Sequence, residues 1–321
     1  MNNVNKARQN LIDMYVKSLE EGEIPWEKMW KTRQPYNAIS KKKYRGINNL
    51  ILSFIAMKRG YKDIRWCTYK QMKKNKWTFK GNAQGKGICI EYWSRYNVKE
   101  KKNYTFKEYE RIIKENPERK EEFRLITRCT TVFNADLIEG IPKDLSQEES
   151  KEQIKTSEFI NNIIKNIDVK YLEEGEEAFY DLIDDCVVIP PSNLFKNEYS
   201  YYATQLHELS HSTGNKKRLN RDLSGNFGSV EYAKEELRAE ISSSFLMQEL
   251  GLEYDEKHLK NHKAYIQNWL QIIKDKPSEL FKAINDSDKI VSYLEENSLH
   301  IDKDLGIEKE ALDFDMELEY E

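Results

Sequence analysis

The sequence has no apolar run approaching the length needed to cross a bilayer, and its first residues, with Lys6, Arg8 and Asp13, form no apolar signal core. Both absences set the same expectation: a cytoplasmic protein with no membrane partner. Cysteine is scarce, and Cys67, Cys89, Cys129 and Cys186 stand far apart with no C-x-x-C spacing. That argues against a disulfide framework and against a cysteine zinc site, and it predicts reduced thiols. No internal repeat or low-complexity segment is present. Acids are almost missing from one stretch: residues 31–90 hold only Asp63 against 16 Lys and Arg.

The formal net charge of -3 conceals this polarity. Residues 1–140 carry 31 Lys and Arg against 16 Asp and Glu, and residues 141–321 carry 21 against 39, so one part is near +15 and the other near -18. A basic part of that size suits a polyanion, and the acidic part cannot share that task. At 321 residues the chain can form two domains with a core each. The polar stretch from Lys143 to Glu152 has little to bury and marks the boundary. The division expected is a domain over 1–142, a linker over 143–156 and a second domain over 157–321.

Hydrophobic spacing predicts an amphipathic helix over 5–20, a turn at 44–48 leading to a helix over 49–58, and a short helix over 69–75. Strands are expected at 64–68, 77–79, 87–93 and 125–133, with the charged segment 101–123 as an exposed helical or flexible insertion. Beyond the linker, short strands near 178–180 and 186–189 separate a helix over 157–167 from helices over 198–213, 230–250, 256–274 and 277–296. The expected fold class is α+β, an α/β N-terminal domain and a mostly helical C-terminal one.

His207, Glu208 and His211 form H-E-x-x-H inside the helix over 198–213, which Asn197 can cap and Gly214 can end in the left-handed conformation. Residues four apart share a helix face, so the two imidazoles can grip one ion with Glu208 beside it. The bare motif also fits two ordinary helix histidines beside a surface glutamate. A second element shifts the balance: Glu236-Leu237-Arg238-Ala239-Glu240 begins 25 residues beyond His211. Catalytic zinc takes three protein ligands and leaves one position open, which makes Glu236 the leading third ligand. Glu240, one turn on, can accept the free ring N–H of a ligating histidine. Zn²⁺ is the expected cofactor, with Mn²⁺ or another divalent ion also compatible. Glu208 is then the general base for peptide or amide hydrolysis, and His262 or Tyr202 could supply an oxyanion donor. His258 and His300 read as surface residues.

In the basic half, cations can track a phosphate backbone and rings can stack on unpaired bases, so single-stranded DNA is the favoured partner. The candidate contacts are Lys41, Lys42, Lys43, Tyr44, Arg45, Trp66, Tyr69, Lys70, Lys73, Lys74, Trp77 and Lys80. Some of these rings belong to the core in any domain of this size.

Several segments together resemble the ArdC family of plasmid and phage antirestriction proteins. In the first half they are Trp26, Pro35-Tyr36-Asn37, Tyr44-Arg45-Gly46-Ile47-Asn48, Trp66-Cys67-Thr68-Tyr69-Lys70-Gln71, Lys86-Gly87 and Val132-Phe133-Asn134. In the second they are the run from Tyr201 to Gly214, Arg218-Leu219-Asn220-Arg221, Phe227-Gly228-Ser229 and Glu235 to Glu240. The resemblance implies a single-strand DNA-binding domain followed by a zincin-like, gluzincin-type metallopeptidase domain. It implies Glu236 as third ligand and Glu240 as its outer support. It also implies protection of incoming plasmid or phage DNA from host restriction, with a host restriction or regulatory protein as possible target. Two other readings stay open: a non-catalytic protein that occludes such targets around a structural metal, and a metallopeptidase that cleaves a transcriptional repressor. The chain departs from the family in Ser212, where many relatives carry Trp, and in the long segment 101–123.

Overall fold

The computed structural model describes residues 3–25, 33–81, 83–143, 155–226, 228–252 and 263–299. Trp26, most of the 143–156 linker, Phe227, His258, His262 and His300 lie outside the described residues.

The N-terminal half opens with helix α1 (Asn3–Glu20), strand β1 (Tyr36–Asn37), helix α2 (Gly46–Arg59), strand β2 (Arg65–Thr68), helix α3 (Tyr69–Lys74) and strand β3 (Thr78–Phe79). It continues with β4 (Ile88–Asn97), β5 (Lys102–Tyr104), α4 (Phe106–Glu115), β6 (Phe123–Asn134) and β7 (Ile138–Glu139). Five strands form one sheet in the order β1-β2-β6-β4-β5, and β3 pairs with β7. The long antiparallel β4/β6 ladder is the backbone of this half, with Ile88 opposite Val132 and Asn97 opposite Phe123. Buried Trp66, Ile90 and Val132 pack beneath it against Leu52 and Ala56 of α2. Helix α2 begins at Gly46, earlier than expected, because Gly46 takes a positive φ of 49° that lets the chain turn straight into the helix.

Of the two forms expected for segment 101–123, helical or flexible, the structure has the helical one, α4. Strand β5 pairs with the end of β4, and Thr105 and Glu108 form a reciprocal capping box at the start of α4. Arg95 reaches from β4 to sit over the rings of Phe106 and Tyr109, and Phe123 meets Tyr109 edge-on. These contacts hold the segment on the sheet, although α4 buries no residue fully. The thiol expectation also needs correction. Cys89 and Cys129 are diagonal neighbours on β4 and β6, with Cα atoms 5.7 Å apart, and they are joined as a disulfide. Their sequence separation of 40 hides what the strand register brings together. Cys67 and Cys186 are free and buried.

The C-terminal half runs α5 (Thr156–Asn166), β8 (Lys170–Glu173), β9 (Phe179–Asp181), β10 (Cys186–Ile189), α6 (Glu198–Ser212), α7 (Val230–Glu249), α8 (Lys263–Asp275) and α9 (Ser278–Ser298). Its small sheet has the order β8-β10-β9, with β8 and β10 parallel and β9 an antiparallel edge. Helix α7 is buried along most of its length among α6, α8 and α9. Its polar side chains are paired, as burial of charge requires: Arg238 donates to Asp286 at 2.9 Å, for example.

The largest apolar core joins both halves. Leu11, Tyr15 and Leu19 of α1 and Leu50 and Ile51 of α2 share it with Leu206, Leu209, Leu237, Trp269, Ile273 and Ile284. Polar contacts cross at the same seam. Arg8, held by a two-pronged pair with Glu91 of its own half, both bonds 2.7 Å, lies over the ring of Phe281 at 5.0 Å, and Asn49 donates to Gln248 at 3.0 Å. Lys43 pairs with Glu249, and Arg45 pairs with Glu295.

Candidate metal centre

Helix α6 starts at Asn197, whose side chain accepts from the Ser200 N–H at 2.9 Å, so Ala203, Leu206 and Leu209 face the core and His207 and His211 face the cleft. The expected left-handed glycine stop is not used. The helix is closed by Thr213 in the right-handed region, and a Cβ at Gly214 would stand 2.8 Å from the Leu223 side chain, which would have to shift to admit it. Helix α7 is capped by Ser229, which accepts from the Tyr232 N–H at 3.1 Å, and it turns Glu235, Glu236 and Glu240 toward α6.

The two helices bring His207, His211 and Glu236 together, with one ligand atom from each within 4.8 Å of the others. The Nε2 atoms of the histidines are 3.1 Å apart, and the Glu236 carboxylate reaches them at 3.6 Å and 3.3 Å. Both rings present the same nitrogen inward because both are held from behind. His207 Nδ1 stands 3.3 Å from Glu240, and His211 Nδ1 stands 3.3 Å from Glu235. Two imidazoles and a carboxylate converging on one point, each imidazole backed by a carboxylate, are a donor set suited to a divalent ion.

Sequence reasoning named Glu240 and missed Glu235. Glu235 is itself fixed by Arg221, whose Nη2 and Nε donate to it at 2.6 Å and 3.2 Å. Arg221 also donates to Thr213 Oγ1 at 2.6 Å and to the Ser210 carbonyl at 2.9 Å. The signal was present in the Arg218-Leu219-Asn220-Arg221 segment, but nothing in its spacing shows that it folds back onto α7.

Electrostatics follow from burial. Burial pushes His207 and His211 down, and the facing carboxylates more than reverse this, Glu240 and Glu236 for His207 and Glu235 and Glu236 for His211, which ends well above the usual range. Burial pushes Glu236 up, yet its bonds to both histidines hold it far below the ordinary carboxylate range. Burial raises Glu208, against the pull of the two histidines. These residues line a cavity of about 620 Å³. Tyr202 does not line it; its ring packs on Tyr201 at 5.5 Å, whereas Tyr232, one turn before Glu236, does line it.

A family model described as the N-terminal domain of anti-restriction factor ArdC matches residues 5–133, and one for zincin-like metallopeptidases matches residues 158–286. The crystal structure of antirestriction protein ArdC from plasmid R388 superposes over 91% of this chain and 97% of that one, at 27% identity and a TM-score of 0.70. The chain belongs to the ArdC antirestriction family. The Mn(II)-bound form of the same ArdC is similar to 92% of the chain, at 28% identity and a TM-score of 0.71. A divalent ion is therefore the cofactor class of this family fold, and His207, His211 and Glu236 are the residues that can hold one here.

Two DNA primases TraC of Escherichia coli are each 33% identical, over 290 and 300 residues. The chain spans only 19% and 27% of their lengths. An uncharacterized protein y4eC of Sinorhizobium fredii is 30% identical over 263 residues, which is 81% of this chain and 80% of that one. The ArdC-like fold is thus shared along nearly the whole chain, with an α/β N-terminal part and a helical zincin-like part. Among the described residues no helix is long and apolar enough to cross a membrane.

The residues nominated for DNA separate into three groups. Trp66 is fully buried and meets Tyr61 edge-on at 6.0 Å, Tyr44 is buried, and Trp77 packs against the cluster around Met72 and Leu137. In this arrangement Trp66 and Tyr44 cannot stack on a base; their rings were needed for the core. Lys43 and Arg45 face the acids of α7 and α9 instead of solvent alone. Lys41, Lys42, Tyr69, Lys70, Lys73, Lys74 and Lys80 are exposed, and the Tyr69 ring lies over Phe79 at 6.0 Å with Lys73 above it at 5.4 Å. The ladder adds a second cationic and aromatic surface that sequence reasoning missed: Tyr92 lies opposite Arg128 and Tyr96 opposite Arg124.

Proposed function

We propose that this ArdC-family chain protects incoming DNA from restriction by binding single-stranded DNA on its basic half, residues 1–142, and hydrolysing a peptide bond of a host restriction or regulatory protein with residues 157–321. The observation that carries the reading is the convergence of His207, His211 and Glu236 at the wall of a cavity that also holds Glu208.

A divalent ion held by these three residues would acidify a bound water and polarise a carbonyl oxygen. Glu208 sits on the same helix face, and its buried carboxyl, raised by that burial, is poised to accept a water proton and return it to the departing amine. Glu240 and Glu235 hold a proton at each Nδ1, so that Nε2 is the nitrogen each ring would give to the ion. Tyr232 lines the cavity and is the candidate donor to a developing oxyanion, the role first assigned to Tyr202 or His262. Tyr69 offers an exposed ring for base stacking, and the lysines around it offer phosphate contacts.

The test is Glu208→Ala in a restriction-challenge assay, with metal content measured in parallel. Normal metal content with protection lost supports hydrolysis. Normal metal content with full protection would mean that the cleft only occludes its target.

A further inference from the structure

The carboxylates around the metal cavity fall into two sets. Glu208, Glu235, Glu236 and Glu240 belong to the metal machinery. Glu176, Glu177, Asp222 and Glu231 do not, yet they line the same cavity, and among the described residues no Lys or Arg lines it. Glu176 and Glu177 are exposed and have no ion-pair partner among the described residues. Asp222 accepts from Ser224 N–H and Oγ, at 3.0 Å and 2.6 Å, and Glu231 meets Lys234 at 3.1 Å. The outer rim is therefore acidic well beyond what the ion requires.

A second feature points to what crosses this rim. Strand β9 is the edge of its sheet, and Phe179 and Tyr180 of β9 line the cavity. Phe179 and the adjoining Leu182 are each 45% exposed. An edge strand offers unpaired backbone donors and acceptors to an extended chain, and apolar side chains beside it accept every second residue of that chain. Glu176 and Glu177 stand three and two residues before Phe179, the first residue of β9, so a strand laid along β9 ends beside two carboxylates that have no ion-pair partner among the described residues.

Resting on the hydrolytic reading of the same cleft, we propose that the cavity selects an extended peptide segment rich in Lys and Arg, with apolar residues between them that meet Phe179 and Leu182. Such segments are typical of surfaces that proteins use to hold nucleic acid. A polynucleotide would be repelled by the same rim, which separates the DNA surface of this protein from its peptide cleft.

The test uses two fluorescein-labelled peptides of equal length that carry either Lys or Glu between the same apolar residues. Binding to the metal-loaded Glu208→Ala protein is read by anisotropy, without turnover. Each exposed ion pair contributes a few-fold, so several together should favour the Lys peptide by about tenfold or more. Combined Glu176→Gln, Glu177→Gln and Asp222→Asn substitutions should remove most of that preference, with circular dichroism confirming the fold. Equal binding of the two peptides, a preference for the Glu peptide or for an oligonucleotide in competition, or a Lys preference that survives the triple substitution, each overturns the proposal. Cleavage by the metal-loaded wild type separates it from the reading beneath it. Selective binding without cleavage of any peptide removes the peptidase and keeps the selectivity. Cleavage that ignores charge keeps the peptidase and removes the selectivity.

Discussion

Arg221 grips both carboxylate oxygens of Glu235, and Glu235 faces Nδ1 of His211 at 3.3 Å. A surface loop thereby sets the orientation of a metal-binding ring that it never touches. Substituting Arg221 by Ala, or Glu235 by Gln, should lower affinity for Zn²⁺ or Mn²⁺ by about 10- to 100-fold, the usual cost of removing an outer support. Titration calorimetry on the metal-stripped proteins measures it. Unchanged affinity in both variants would assign the pair to loop anchoring alone.

The same carboxylates give metal uptake a direction in pH. In the metal-free protein they hold His207 and His211 above the usual imidazole range, so near neutral pH a proton must leave before Nε2 can bind an ion. Affinity should therefore rise as pH rises through the raised values and fall on acidification. Calorimetry in buffers of different ionisation enthalpy should register protons released on binding near neutral pH. The His207→Ala, His211→Ala protein should neither bind the ion nor release those protons.

Helix α6 was legible because its information is local: Asn197, the four-residue spacing of His207 and His211, and the apolar stripe between them all lie within one helix. Glu236 and Glu240 were legible for the same reason, as residues one turn apart on a capped helix. What stayed hidden depends on register and on long-range return. Strand β8 pairs in parallel with β10 across an intervening hairpin, Cys89 meets Cys129 only through the β4/β6 register, and Arg221 reaches Glu235 from a loop. The charge contrast was also legible, and with it the expectation that a basic and an acidic part can close on each other. It partly closes on itself, since Lys43 and Arg45 spend their charge on Glu249 and Glu295.

That seam carries its own pH dependence. Burial and the bond and charge of neighbouring Glu249 push Glu295 up to about 9, against Arg45 and Lys43, while Glu249 is held low by its bond from Glu295 and by Lys43. Neighbouring carboxyls ionise one at a time, and the raised value of Glu295 keeps its proton through the neutral range. A raised folded-state value means that the folded protein binds this proton more tightly than the unfolded chain. Its contribution is complete below the ordinary carboxylate value and is lost as pH rises toward about 9. Denaturant midpoints should therefore fall more steeply over that range in wild type than in Glu295→Gln, whose amide keeps the bond to Glu249 without titrating. Parallel slopes would show that Glu295 does not keep that proton.

Two aromatic residues nominated together for DNA should now part company. Trp66 is fully buried beside Val132 and Ile90, so Trp66→Ala should cost about 3–5 kcal/mol of stability through the cavity it leaves. Tyr69 is 44% exposed on α3, so Tyr69→Ala should leave the denaturant midpoint nearly unchanged. It should weaken binding of an oligothymidine by about 1–3 kcal/mol, the range for losing one stacking platform. Replacing Lys73 and Lys74 by Gln should act differently again, lowering affinity and also flattening its dependence on salt, because fewer counterions are released from the phosphates. Anisotropy titrations across a salt series measure both effects. A Tyr69→Ala protein that binds as wild type does, beside Lys variants with an unchanged salt slope, would move the DNA from α3 to the face of the β4/β6 ladder where Arg124 and Arg128 oppose Tyr96 and Tyr92.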